Sequence, residues 1–228
     1  YERISMKNTE HHYSFKNLEI GTAEYPQGPT GCTVFYFPEG AIGSIDIRGG
    51  SASVREAPAL SSSNSTGWLD ALVFAGGSTY GLESADGVAS EILKLKDNKV
   101  DFMNIPVIPA AVVYDFDKRD NAIYPDKNLG AEAFRNKTHG KALAGKIGAG
   151  ANVNVGKYLG RKFAEPSGQA VGHYQFENLE ILTVSVVNAL GNILDHAGNV
   201  IAGTLLEDKK RYHISELVEK MRFKNGIE

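Results

Sequence analysis

The chain has 228 residues, 42% hydrophobic and 22% charged, with 24 basic and 27 acidic side chains and a net charge of −3. That balance argues against disorder and lacks the basic excess of a nucleic-acid-binding surface. No apolar run approaches the roughly 20 residues of a bilayer span, and the N-terminal residues carry no signal-peptide stretch. The single cysteine, Cys32, excludes an internal disulfide and a cysteine-rich zinc site. The expectation is one soluble, cytoplasmic domain.

Residues 1–20 are polar and read as a loose N-terminal arm. Thr33 to Phe37 is a β-branched and aromatic run stopped by Pro38. With Pro38-Glu39-Gly40 as a turn, Ala41 to Ile47 is the expected hairpin partner. Residues 55–66 form a polar surface loop. Leu69 to Ala75 is a short buried run. Leu82, Ala85, Ala89, Ile92 and Leu93 then recur at helical spacing. Val107 to Phe116 is a second buried run, placed at an edge or a bend by Pro109. Leu129 to Phe134 is a helical piece, and Asn152 to Val155 alternates as a strand does. Leu179 to Leu190 is the longest strand candidate. Asn192 to Leu194 and Val200-Ile201 flank Asp195 to Asn199 as a hairpin. Ile214, Leu217, Val218 and Met221 give a final helical stripe, with His213 and Ser215 as caps. No repeat or composition break divides the chain, so the fold class is one mixed α/β domain.

Glycine is the anomaly: 25 residues, about 11% against a usual ~7%. They cluster at the ends of apolar runs, where sharp turns or close backbone approaches are needed. Gly76 to Gly81 lies between a strand and a helix. It resembles a nucleophile elbow, but Tyr80 occupies the place of the second glycine. It also lacks a phosphate-binding lysine, so Ser78 is a minor candidate and a tight turn lining a pocket is the main reading. Gly148-Ala149-Gly150 runs into a strand rather than a helix, against a dinucleotide site. Asp115, Asp117 and Asp120 miss the spacing of a calcium loop and read as a charged loop. Cys32 reads as a buried thiol. The residues alone leave Lys157 between a surface lysine and a site lysine, and Asn188 between a strand-end cap and an oxyanion donor.

Several segments, taken in order, resemble one family. They are Gly28 to Val34, Asp46-Ile47-Arg48-Gly49-Gly50, Phe74 to Glu83, Val113 to Phe116, Tyr124 to Lys127, Gly148 to Gly150, and Val155-Gly156-Lys157. The family is the self-processing L-aminopeptidase/D-amidase group, and the branch it resembles most is that of the nylon-oligomer (6-aminohexanoate oligomer) hydrolases.

That resemblance implies a four-layer α/β/β/α sandwich like that of N-terminal nucleophile hydrolases. It implies a precursor that cuts itself into an α and a β chain, with a Thr or Ser at the new β-chain N-terminus as nucleophile. The new α-amino group, ordinarily of pKa about 7.7–8.0, can act as its base. On this view residues 1–20 are an arm, and residues 21–228 are the α-chain part of one domain completed by a separate β chain. Lys157, Asn188 and Tyr114 match the family's active-site lysine, asparagine and tyrosine. Asn188 would donate to an oxyanion, Lys157 would lower the proton affinity of the attacking hydroxyl, and Tyr114 would orient the amine or the substrate. The implied partners are the β chain, further αβ pairs in a homo-oligomer such as a tetramer, and a small amide substrate. No cofactor, metal, nucleic acid or membrane is expected. The alternatives are a D- or β-aminopeptidase of the same family, a non-catalytic small-molecule binder on the scaffold, and a serine hydrolase using Ser78.

Overall fold

The computed structural model describes residues 7–61, 63, 67–116 and 119–224. The arm is tied down from Thr9 onward. Strand β1 (Thr9–His12) pairs antiparallel with β8 (Lys141–Ala144), and Tyr13 and Leu18 are buried behind it.

A six-stranded sheet forms the middle of the molecule. It is built from β2 (Glu19–Tyr25), β3 (Thr30–Ile42), β4 (Val54–Arg55), β5 (Trp68–Ala75), β6 (Ala110–Val112) and β7 (Thr138–His139), in the order β4-β6-β5-β3-β2-β7. Only β5 and β6 are parallel. The crossover between them carries α1 (Ser84–Leu95), as parallel neighbours require. Strand β5 alternates buried and less buried residues along its length.

One sequence expectation fails here and another narrows. Ala41 to Ile47 is not a hairpin partner; β3 itself runs on to Ile42. Pairing with β2 ends at Tyr36, so on that side Pro38 has no ladder bond to lose. Gly40, at φ +66° against the Trp68 ring, lets the strand bulge and rejoin β5 at Ala41. Of the edge or bend expected at Pro109, the edge is excluded: Pro109 precedes β6, which lies between β4 and β5.

Helices α1 and α2 (Lys127–Arg135) cover one sheet face. Asp126 caps α2 by accepting the Leu129 N–H at 2.9 Å. The buried α1 positions Ala85, Val88 and Ile92 follow helical spacing and meet Cys32, Val34, Val73, Leu129 and Phe134 in one core. The two helices touch through glycine: a Cβ on Gly130 would strike the Ser84 backbone, and one on Gly87 the Lys127 carbonyl.

The other sheet face carries Ile20, Phe35, Leu72 and Phe74. The hairpin β11 (Gln169–Phe176) and β12 (Leu179–Val186) packs on it through Val171, Leu182 and Val184. The outer side of that hairpin exposes Tyr174, Phe176, Leu179 and Ile181. The stacking is therefore helices on sheet on strand pair, and the expected α/β class holds.

Short strand pairs complete the chain. These are β9 (Asn154–Val155) with β10 (Glu165–Pro166), β13 (Ile193–Leu194) with β14 (Val200–Ala202), and β15 (Thr204–Leu205) with β16 (Arg211–Tyr212). The β13–β14 hairpin is the expected one. Its turn is held by Asp195, whose carboxylate accepts the Ala197 and Asn199 N–H groups. Helix α3 (Ile214–Lys224) follows, and His213 Nδ1 lies 2.7 Å from Ser215 Oγ at its start.

Candidate active site

Strands β5 and β6 end side by side, and their following turns lie together at the carboxyl ends of the two parallel strands. Crevices form at such points in α/β sheets. After β5 the chain turns through Gly76, Gly77 and Ser78, the last two at positive φ. After β6 it passes through Val113 and Tyr114. The two turns are stitched by Val113 N–H to the Ala75 carbonyl and Ser78 N–H to the Val113 carbonyl, both 2.9 Å.

Tyr114 is 46% exposed, with its ring tilted against Phe116. Its carbonyl accepts a hydrogen bond from Asn188 Nδ2, on the segment that leaves β12. Asn188 Oδ1 in turn accepts the Asn154 backbone N–H at 3.2 Å. A backbone N–H only donates and a carbonyl only accepts, so these two bonds fix which way the Asn188 amide points. The Asn188 carbonyl accepts from Lys157 Nζ at 3.0 Å. Tyr114, Asn188 and Lys157, separated by up to 74 positions in sequence, are thus one hydrogen-bonded group.

The local chain explains each placement. Lys157 follows Gly156, whose φ is +75° and whose absent side chain makes room for the backbone at Gly203 and Thr204. Thr204 Oγ1 donates to the Gly156 carbonyl at 3.0 Å. The same stretch is anchored by Glu165, which accepts Arg211 Nε at 2.6 Å and the Gly203 N–H at 3.1 Å. Asn154 Nδ2 donates to the Asn152 carbonyl, and Asn152 Nδ2 to the Asp115 carbonyl at 2.8 Å.

Asp115 corrects the sequence reading of a charged loop. It is 1% exposed, and its carboxylate accepts Thr30 Oγ1 at 2.5 Å, the Gly77 N–H at 2.9 Å and Arg119 Nη2 at 2.8 Å. Asp117 lies outside the described residues. Sequence reasoning missed Asp115, Arg119, Asn152 and Glu165. An aspartate with an arginine four residues on, beside a buried run, was the usable signal, and it bears on Asp115 and Arg119 alone.

Ser78 has strained left-handed backbone, yet among the described residues no histidine bonds it. Cys32 is fully buried; burial first, then the charges of Glu24, Glu132 and Asp126, push its thiol pKa well up. It stays a neutral thiol. Chemically, the group offers a lysine ammonium and an oriented amide N–H₂ beside the turns that follow β5 and β6. The amide carries two protons and the bond to Tyr114 uses one. These are donors for a developing negative charge, not nucleophiles.

Comparison with known proteins defines the class first. The fold matches that of a solved Burkholderia sp. beta-aminopeptidase, with a TM-score of 0.52 and 13% identity over 69% of this chain and 44% of that one. Residues 14–161 match peptidase family S58, and the chain belongs to that family. It is 36% identical over 191 residues to a 6-aminohexanoate-oligomer endohydrolase of Paenarthrobacter ureafaciens, covering 84% of this chain and 51% of that protein. It is 33% identical over 168 residues to an uncharacterized aminopeptidase of Mycobacterium bovis, covering 73% of this chain and 47% of that protein. The chain thus spans about half the length of these curated relatives. Among the described residues, no helix is long and apolar enough to cross a membrane.

Proposed function

We propose that this chain is the larger part of an amide hydrolase of the N-terminal nucleophile type, acting on small peptides or amino-acid oligomers such as those of 6-aminohexanoate. The observation that carries the reading is the hydrogen-bonded group of Tyr114, Asn188 and Lys157 within an S58 chain. The attacking Thr or Ser hydroxyl belongs to a β chain cut from the same precursor, and its own α-amino group takes the hydroxyl proton. The hydroxyl oxygen adds to the amide carbonyl, and the Asn188 N–H₂ donates to the oxyanion that forms. The Lys157 ammonium lowers the proton affinity of the hydroxyl. The C–N bond then breaks, the amine leaves with the proton, and water hydrolyses the ester.

The half-open second face supports a missing structural partner. Tyr174, Phe176, Leu179 and Ile181 are exposed together on β11–β12. An apolar recess of about 280 Å³, lined by Phe74, Val112, Val113, Val184 and Val186, lies between the sheets beside the Tyr114 turn. An apolar wall suits a substrate with a run of methylenes. αβ pairs associate further into a homo-oligomer in this reading.

The test is direct. The complete protein is incubated with linear 6-aminohexanoate oligomers, β-amino-acid amides and L-amino-acid amides, and its polypeptides are weighed and sequenced from their N-termini. The reading predicts amide hydrolysis, and a second polypeptide beginning with Thr or Ser. Preference for β-amino-acid amides would instead favour the aminopeptidase alternative. A processed protein that binds these amides without cleaving them would identify the scaffold as a binder.

A further inference from the structure

We infer that Asp115, clamped by Arg119, is a positioning residue for this site: it fixes the backbone of Tyr114 and, through it, the Asn188 amide. The inference rests on the functional reading above and adds a residue to it.

The carboxylate is unusual in two ways. Asp115 and Arg119 are both almost completely buried, with side chains 1% and 2% exposed. The Arg119 guanidinium also lies 4.0 Å from the centre of the Phe116 ring. A buried ion pair is seldom a good stabilising device, because desolvation of both charges offsets much of their attraction. A function in geometry gives it a purpose, and the surrounding bonds show which geometry.

Each Asp115 oxygen holds a different element. Oδ2 accepts Thr30 Oγ1 from the start of β3, and Oδ1 accepts the Gly77 N–H from the turn after β5. Its backbone carbonyl accepts Asn152 Nδ2 from the turn before β9. Gly76 has no side chain because a Cβ there would run into the Asp115 carboxylate and Thr30 Oγ1. The glycine-rich turn, which the sequence offers mainly as a tight turn lining a pocket, is therefore the seat of this carboxylate.

Asp115 follows Tyr114 directly, and the Tyr114 carbonyl is what the Asn188 amide grips. Asn152 closes the loop, since its carbonyl accepts Asn154 Nδ2 and the Asn154 N–H holds Asn188 Oδ1. Both ends of the Asn188 amide are thus referenced to Asp115. A loosened Asp115 leaves Asn188 in place but lets its donor wander, and misplacement by about 1 Å costs on the order of 10²-fold in rate.

The experiment compares Asp115→Asn, Asn152→Ala, Asn188→Ala and Glu91→Gln in the complete protein, measuring kcat, KM and thermal unfolding. Glu91 is the control: a buried carboxylate paired with Lys94 and Arg135 in the helix layer, bonded to nothing in the site. The expected result for Asp115→Asn is a kcat at least about tenfold lower with KM within about twofold. Glu91→Gln is expected to lower the melting temperature and leave kcat unchanged. A folded Asp115→Asn with wild-type kcat overturns the inference, and so does an equal kcat loss in Glu91→Gln. If Asp115→Asn does not fold, Asn152→Ala decides by the same kcat criterion. Full activity in Asn188→Ala, or no amide hydrolysis by the complete protein, overturns the functional reading itself. An inactive Asn188→Ala beside a fully active Asp115→Asn overturns only the role of Asp115.

Discussion

The two faces of the six-stranded sheet are built differently. The helix side is closed: Val34, Val73, Ile92 and Leu129 are at most 1% exposed, and glycines let α1 and α2 sit in contact. The strand side is open. Phe35 and Phe74 stack edge-on at 5.2 Å, but beside them lie cavities of about 610 and 590 Å³ that share Phe37, Ala41, Leu72 and Phe74 in their walls. The closed face is finished by residues within this chain. The open face carries the β11–β12 hairpin, and β12 leads from it to Asn188 at the end of the sheet. Tight packing and open space thus occupy opposite sides of one sheet.

That contrast can be broken by experiment. The largest stability effect is expected on the closed face: Ile92→Ala should cost about 2–5 kcal/mol in urea unfolding. Leu182→Ala, only partly buried on the open face, should cost less than about 2 kcal/mol. Equal losses would erase the distinction. Gly130→Ala should cost about 1–3 kcal/mol, because the new methyl meets backbone that neither helix can withdraw.

A smaller effect concerns the N-terminal arm. Glu180 is held below the usual carboxylate range by hydrogen bonds from the Ser14 hydroxyl and the Ser14 N–H, with His173 adding to them. A depressed carboxyl pKa stabilises the fold above its unfolded value, and the contribution disappears as pH falls through the folded value. The tether should therefore be constant from neutral pH down to the ordinary glutamate range and loosen in more acid solution. Amide exchange of residues 9–15, corrected for intrinsic rate, should rise there, and Glu180→Gln should abolish that pH dependence. The smallest effect is on the exposed hairpin face: Tyr174→Ser should change the stability of this chain by no more than about 0.5 kcal/mol while reducing its binding of an apolar dye.

The same contrast explains what could be read from the sequence. The closed face was legible because α1 and α2 show their buried stripe within a dozen residues, and β5 shows its alternation within eight. The hairpin around Asp195 was legible from its turn chemistry. Strand β3 was misread because Pro38 and Gly40 signal a turn locally, whereas the long ladder to β5 absorbs them as a bulge. Lys157 and Asn188 are a lysine and an asparagine just beyond strand ends; the residues alone leave each between two readings, and only the family resemblance decides between them. Asp115 was hidden for a different reason. An aspartate among charged neighbours looks solvated in sequence, and its three carboxylate partners come from residues 30, 77 and 119.

The most direct test of the account is the rate of amide hydrolysis by the complete protein carrying Lys157→Met, which keeps the length of the side chain and removes its ammonium. If the Lys157 ammonium assists the attacking hydroxyl, kcat falls by about 10²–10³-fold, the scale of losing one transition-state donor, in a protein that still folds and is still cut. A folded, processed Lys157→Met protein with kcat within about twofold of wild type would contradict it.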